Sequence, residues 1–119
     1  MKTGDESILE NLIAADAMFY SPAVYSPQLG RTKVCAYLIA AERMFADTNF
    51  RYTAQWISSH SAALEFDADL DGVYTNGVDL ITWNDDNEIV SFKVMIRPLR
   101  GLRTVIPLMG SLLASRESE

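Results

Sequence analysis

At 119 residues, 49% of them hydrophobic and 22% charged, the chain has the size and composition of one globular domain spanning residues 1–119. Its formal net charge of -6 disfavours nucleic acid and anionic membrane surfaces as partners, because phosphate binding needs a basic face. A lone cysteine, Cys35, closes no internal disulfide, the N-terminal residues lack the apolar core of a signal peptide, and residues 105–113 are too short and too broken by Pro107 and Gly110 to span a bilayer, so a cytoplasmic protein is expected.

Asp5 can cap a short helix starting near Glu6, with Ile8, Leu9, Leu12 and Ile13 on one face. Ser21-Pro22 and Ser26-Pro27 then bracket an irregular segment ending at Gly30. A second helix follows, with a cap near Thr32 and a stripe of Val34, Leu38, Ala41 and Phe45 at helical spacing. Asp47, Thr48 and Asn49 end it.

From Phe50 the period becomes two. Phe50, Tyr52, Ala54 and Trp56 alternate with polar residues, then Leu64, Phe66, Ala68 and Leu70 alternate with Glu65, Asp67, Asp69 and Asp71. Asp71-Gly72 turns the chain into a third strand, Val73 to Trp83, with an irregularity expected at Asn76-Gly77. A polar turn at residues 84–87 leads to a fourth strand, Ile89 to Arg97, which Pro98 stops. A last apolar stripe, Leu102, Ile106, Met109 and Leu113, predicts a helix that Pro107 interrupts or restarts. The order is two helices, a meander of about four long antiparallel strands, and a C-terminal helix. Helices on one face of such a sheet make an α+β domain.

Asp79 stands out because its neighbours Val78, Leu80 and Ile81 read as buried strand. A carboxylate on a buried face must be paired, hydrogen-bonded or protonated. By parity it shares a face with Ile81 and Trp83. Two readings stand: an acid kept neutral near pH 7 as a proton donor in a pocket, or a structural carboxylate tied to backbone N–H groups or an arginine. Arg97 reads as an outer-face residue pairing with Asp67 or Asp69 rather than as an anion clamp. His60 reads as an exposed turn residue without a paired acid, and Cys35 as a buried small hydrophobe. The acidic series along residues 65–71 lies on a straight strand, which suits a solvated face better than calcium. The basic, leucine-rich tail is expected to dock on that acidic face or on a second subunit.

The strings Asp16 to Pro22, Gly30-Arg31, Val78 to Asp85 and Val94 to Leu99 resemble the SnoaL-like branch of the nuclear-transport-factor-like superfamily, which includes the ketosteroid isomerases. The resemblance runs from Gly4 to about Leu102. It implies a conical, curved antiparallel sheet wrapped on helices around an apolar pocket, and a homodimer formed through the sheet face. It also implies that Asp79 matches the acid that donates to an oxyanion, with Trp83, Phe66, Phe92, Val94, Ile96 and Leu38 shaping the pocket. Tyr20 is the candidate second polar group.

Two departures accompany it. The first helix is shortened at Gly4-Asp5, so the isomerase tyrosine carried there has no counterpart, and the position of the isomerase base is Ser21. The function expected is therefore a pocket protein for a small apolar carbonyl or hydroxyl compound. It would be a cofactor-free, metal-free isomerase, cyclase or dehydratase with Asp79 as acid. A non-catalytic ligand-binding or dimerisation module of the same fold is the alternative.

Overall fold

The structure, a computed structural model, describes residues 4–117, with side-chain environments over 6–115. The cap expected from Asp5 and the tail arginine Arg116 fall outside the described side chains. Elements run α1 (Gly4–Leu12), β1 (Ile13–Tyr20), β2 (Gln28–Leu29), α2 (Arg31–Phe45), β3 (Arg51–Ile57), β4 (Ser61–Leu70), β5 (Val73–Trp83), β6 (Ile89–Arg97) and α3 (Leu99–Glu117). One six-stranded sheet is ordered β2-β1-β6-β5-β4-β3, with helices α2 and α3 packed against it. The fold is α+β with a curved, unclosed sheet, as the sequence predicts.

The four predicted strands are β3 to β6, and two more extend the sheet. β1 replaces the end of the predicted first helix and runs parallel to β6, so the sheet is mixed rather than wholly antiparallel. Its register slips between Ile13 and Met18, which pair with Ile89 and Ser91. That bulge erases the period-two signal, and the alanines in Ile13–Tyr20 imitate a helix.

Three further expectations change. Gly30, not Thr32, occupies the N-cap of α2, where its carbonyl accepts the Val34 N–H at 3.0 Å. No register slip occurs at Asn76-Gly77, where Asn76 pairs with Asp67 and Gly77 with Phe66; the slip against β6 falls at Thr82/Trp83 instead. Finally, α3 passes through Pro107 unbroken. Proline costs about 3 kcal/mol inside a helix, but Pro107 faces solvent while Val105, Met109 and Leu113 on either side of it pack inward. α3 accordingly packs on α2, β5 and β6 and closes the concave side, rather than docking on the acidic outer face.

Two apolar clusters anchor the layers. Ile13, Ala17, Phe19 and Val34 bind β1 to α2, and Met44, Leu70 and Val105 bind α2, β4 and α3. The β4–β5 hairpin closes on Asp71 and Gly72, both at positive φ (51° and 78°), the pair of left-handed residues that a two-residue turn between twisted strands requires.

Gly77 has a different reason to be glycine. A Cβ there would fall on the Phe66 ring and lie 2.7 Å from the Met95 carbonyl oxygen. Phe66, 1% exposed, occupies that space and meets Phe45, Phe50 and Tyr52 with ring centroids 5.3, 5.0 and 6.5 Å away. Gly77→Ala is expected to lower stability by about 1–3 kcal/mol in urea unfolding, as overpacking does. Phe66→Leu in the same chain should recover part of that loss, and parent-like stability of Gly77→Ala would show that the contact does not fix the residue.

Candidate active site

The concave face of the sheet, α2 and α3 enclose a cavity of about 640 Å³. Its floor is the sheet: Phe66, Asp79, Phe92, Val94 and Ile96. Leu38, Ala41 and Phe45 of α2 form one wall, and Val105, Met109 and Leu113 of α3 another. Ser21 to Val24 contribute from the loop after β1. Register explains the floor: Asp79 pairs with Leu64 on β4 and Val94 on β6, Gly77 with Phe66 and Ile96, and Ile81 with Phe92. All carry side chains to the same face because parity is kept across those pairs.

Asp79 is 8% exposed. Its Oδ2 accepts a hydrogen bond from the Tyr52 hydroxyl at 3.3 Å. Desolvation raises its carboxyl from 3.8 to about 6, and the Tyr52 hydrogen bond opposes that rise. The carboxyl is raised, as expected of an acid among apolar side chains; at about 6 it is neutral below that pH and ionised above it. Tyr52, 56% exposed at the sheet edge, is pushed up to about 12 by partial desolvation on its cavity side, the Asp79 charge and the shared hydrogen bond. It stays protonated through the neutral range.

Tyr52 stands opposite inward-facing Phe66, just before a bulge. β3 pairs Tyr52 with Phe66 but Ala54 with Glu65, so the register slips at Thr53. Phe50 and Tyr52 face the cavity, whereas Trp56 lines a groove on the outer face with Glu65, Met95 and Arg97. The sequence alternation put all four on one face; an extra residue in one strand is invisible to period counting.

Of the residues proposed from sequence, Asp79, Leu38, Phe66, Phe92, Val94 and Ile96 meet at the cavity. Trp83 and Tyr20 do not line it. Trp83 lies four residues along β5 from Asp79, roughly 13 Å at strand rise, and beyond the Thr82/Trp83 slip. Tyr20 projects from β1 on the side opposite Phe19, where Lys93 Nζ sits 4.8 Å from its ring and its hydroxyl meets the Met18 sulfur at 3.6 Å. Ser21 does line the cavity, with its Oγ accepting the Ala23 N–H at 3.2 Å. Tyr37, 5.1 Å from Phe19 between ring centroids, is a further lining aromatic that sequence could not rank.

Other candidates lie elsewhere. Arg97 is on the outer face, its Nε donating to Asn76 Oδ1 at 2.9 Å, while Asn76 Nδ2 donates to Glu65 and Asp67 at 3.0 and 2.8 Å. That network holds the Asp67 carboxyl below its usual range, chiefly through Asn76. Two turns meet where His60 Nε2 lies 2.7 Å from Asp85 Oδ1, a pairing not expected from sequence. Cys35 is buried in α2. Among the described residues no group of three metal-binding side chains converges.

The raised carboxyl makes a signed prediction. The folded state holds the Asp79 proton more tightly than the unfolded state, so between about pH 4 and pH 6 it carries more bound protons and stability falls as pH rises. The penalty is absent below that window and complete above it, at about 3 kcal/mol. Asp79→Asn should therefore be more stable than the parent near neutral pH, and the advantage should vanish at about pH 4, by urea unfolding. A constant difference across pH would contradict the buried, desolvated carboxyl.

No protein-family model and no curated protein matches the sequence. Solved structures do. A steroid delta-isomerase from Pseudomonas aeruginosa aligns at 35% identity over 96% of this chain and 83% of its own, with a TM-score of 0.88. An uncharacterised bacterial protein with a cystatin-like fold from Silicibacter pomeroyi aligns at 33% identity over 91% and 75%, with a TM-score of 0.82. An NTF2-like protein of unknown function from Mesorhizobium loti shares the fold at 20% identity, covering 79% of each chain with a TM-score of 0.66. With these relatives and this fold, the chain belongs to the SnoaL-like branch of the nuclear-transport-factor-like superfamily.

Proposed function

We propose that the cavity binds an apolar small molecule carrying a carbonyl or hydroxyl oxygen, and that Asp79 receives that oxygen as acid or hydrogen-bond donor. The chemistry is cofactor-free isomerisation, cyclisation or dehydration. One observation carries this reading: a nearly buried carboxyl sits on the floor of an otherwise apolar cavity, beside a phenol that stays protonated. An apolar ligand expels water from Asp79 and raises its affinity for a proton further. The protonated form then donates to an oxygen gaining negative charge, and Tyr52 supplies a second donor once its bond to the carboxylate is released.

Ser21 cannot remove a carbon-bound proton unaided. A proton-transfer step must therefore use Asp79 itself, which exchanges protons readily near pH 6, or the carboxylate of Glu42 at the cavity rim. The same residue favours the second reading, a ligand-binding or dimerisation module without turnover. A cytoplasmic homodimer joined through the outer sheet face completes the proposal. That face exposes Trp56, Tyr74 and Met95 beside the Glu65–Asn76–Arg97 network.

A β,γ-unsaturated ketone tests the enzyme reading through the absorbance of its conjugated product. Turnover is expected to fall by about 100-fold or more in Asp79→Asn, the scale of losing one oxyanion donor, and by less in Tyr52→Phe. Unchanged turnover in Asp79→Asn removes its acid role. A ketone that binds by calorimetry without conversion decides for the binding module.

A further inference from the structure

The charged groups lining the cavity are of one sign. Among the described residues, Asp79 on the floor and Glu42 of α2 are the carboxylates that line it, and no lysine, arginine or histidine does. Each neighbouring element confirms the asymmetry around Asp79. β3 offers the neutral Tyr52, β4 and β6 offer Leu64 and Val94, α2 offers Tyr37 and Glu42, and α3 offers only apolar side chains and Gly110. Lys93, on β6 next to Val94, is over the ring of Tyr20 instead. Arg97 is engaged by Asn76 on the outer face.

Aromatic rings line the same cavity as this carboxyl. Tyr52, Phe50, Phe66 and Phe45 form a chain of contacts with centroids 5.0 to 5.3 Å apart along its successive links. Across the floor, Phe92 stacks on Phe19 at 5.9 Å and Phe19 on Tyr37 at 5.1 Å. Ring faces attract cations, and a desolvated carboxylate without a cationic partner attracts them more strongly. An organic anion entering this cavity would meet two carboxylates and no compensating charge.

We infer that the cavity sorts apolar molecules by charge: it takes organic ammonium ions in preference to neutral molecules of the same shape, and it excludes organic anions. This rests on the ligand-binding reading above and names the class of ligand that the site favours. The ionised carboxylate pairs with an ammonium head while the aromatic walls hold its alkyl groups. A neutral oxygen compound uses the protonated carboxyl instead, so the two ligand types respond to pH in opposite directions.

Calorimetry with three probes of similar size separates the outcomes: benzyltrimethylammonium, the hydrocarbon neopentylbenzene, which replaces nitrogen by carbon, and the anion hydrocinnamate. The quaternary charge does not titrate, so any pH response belongs to the protein. The cation is expected to bind about tenfold or more tighter than the hydrocarbon near pH 8. That preference should shrink toward pH 5 and weaken several-fold in Asp79→Asn, with hydrocinnamate not bound. Equal affinity of cation and hydrocarbon, a preference unchanged by pH or by Asp79→Asn, or binding of hydrocinnamate would overturn the inference. The pH series on the parent protein decides even if the variant fails to fold. Binding of the hydrocarbon without preference for the cation leaves the cavity reading standing, whereas failure of every probe to bind defeats both.

Discussion

Phe66 lies against Gly77 across the β4–β5 pair, and the cavity is built outward from that contact. The missing side chain at Gly77 lets an aromatic ring settle onto the backbone of the next strand. From there the ring reaches Phe45 of α2 and both Phe50 and Tyr52 at the sheet edge. One buried side chain thus joins the floor, a helical wall and the edge strand. It also fixes which face of β3 looks inward before the bulge at Thr53 reverses the order.

That arrangement makes a buried carboxyl tolerable. Asp79 sits two residues beyond Gly77 on the same face, so it shares the floor that Phe66 dominates. Water cannot solvate it well, which is why its carboxyl rises. Tyr52, held at the edge by Phe50 and Phe66, donates one hydrogen bond and limits the rise. The balance between these opposing effects sets where the acid titrates. Stronger burial alone would have left a permanently neutral acid, and a second donor would have returned it to the ordinary carboxylate range.

Much of this was legible in the sequence where periodicity was unbroken. The alternation through Leu64, Phe66, Ala68 and Leu70 gave β4 its inward face, and the parity of Asp79 with Phe92, Val94 and Ile96 matches the register found. Legibility failed at irregularities. The slip in β1 hid a strand inside a helical-looking alanine run, the bulge at Thr53 turned Trp56 to the outer face, and the slip at Thr82/Trp83 took Trp83 away from the floor. Tyr20 failed for a simpler reason: being next to Ser21 in sequence places it on the opposite face of a strand. Pro107 was read as a breaker because local propensity cannot register the cavity-facing residues that hold α3 in place.

The position of Ser21 now has a different meaning. From sequence it marked the position of a base without a basic residue, and Asp79 had no assigned polar partner. In the folded chain Asp79 has a phenol partner from another strand, the Tyr52 hydroxyl. Ser21 lies at the cavity with its hydroxyl oxygen accepting a backbone N–H. On the function proposed above, a site with paired donors and no strong separate base would bind and polarise an oxygen compound more readily than it would remove a proton from carbon. On that reading a proton shuttle runs through Asp79 or Glu42, and an apolar ligand that displaces water from Asp79 raises its affinity for a proton further. Binding and acidity would then be coupled at Asp79, because the ligand that fills the cavity sets how far its carboxyl is desolvated.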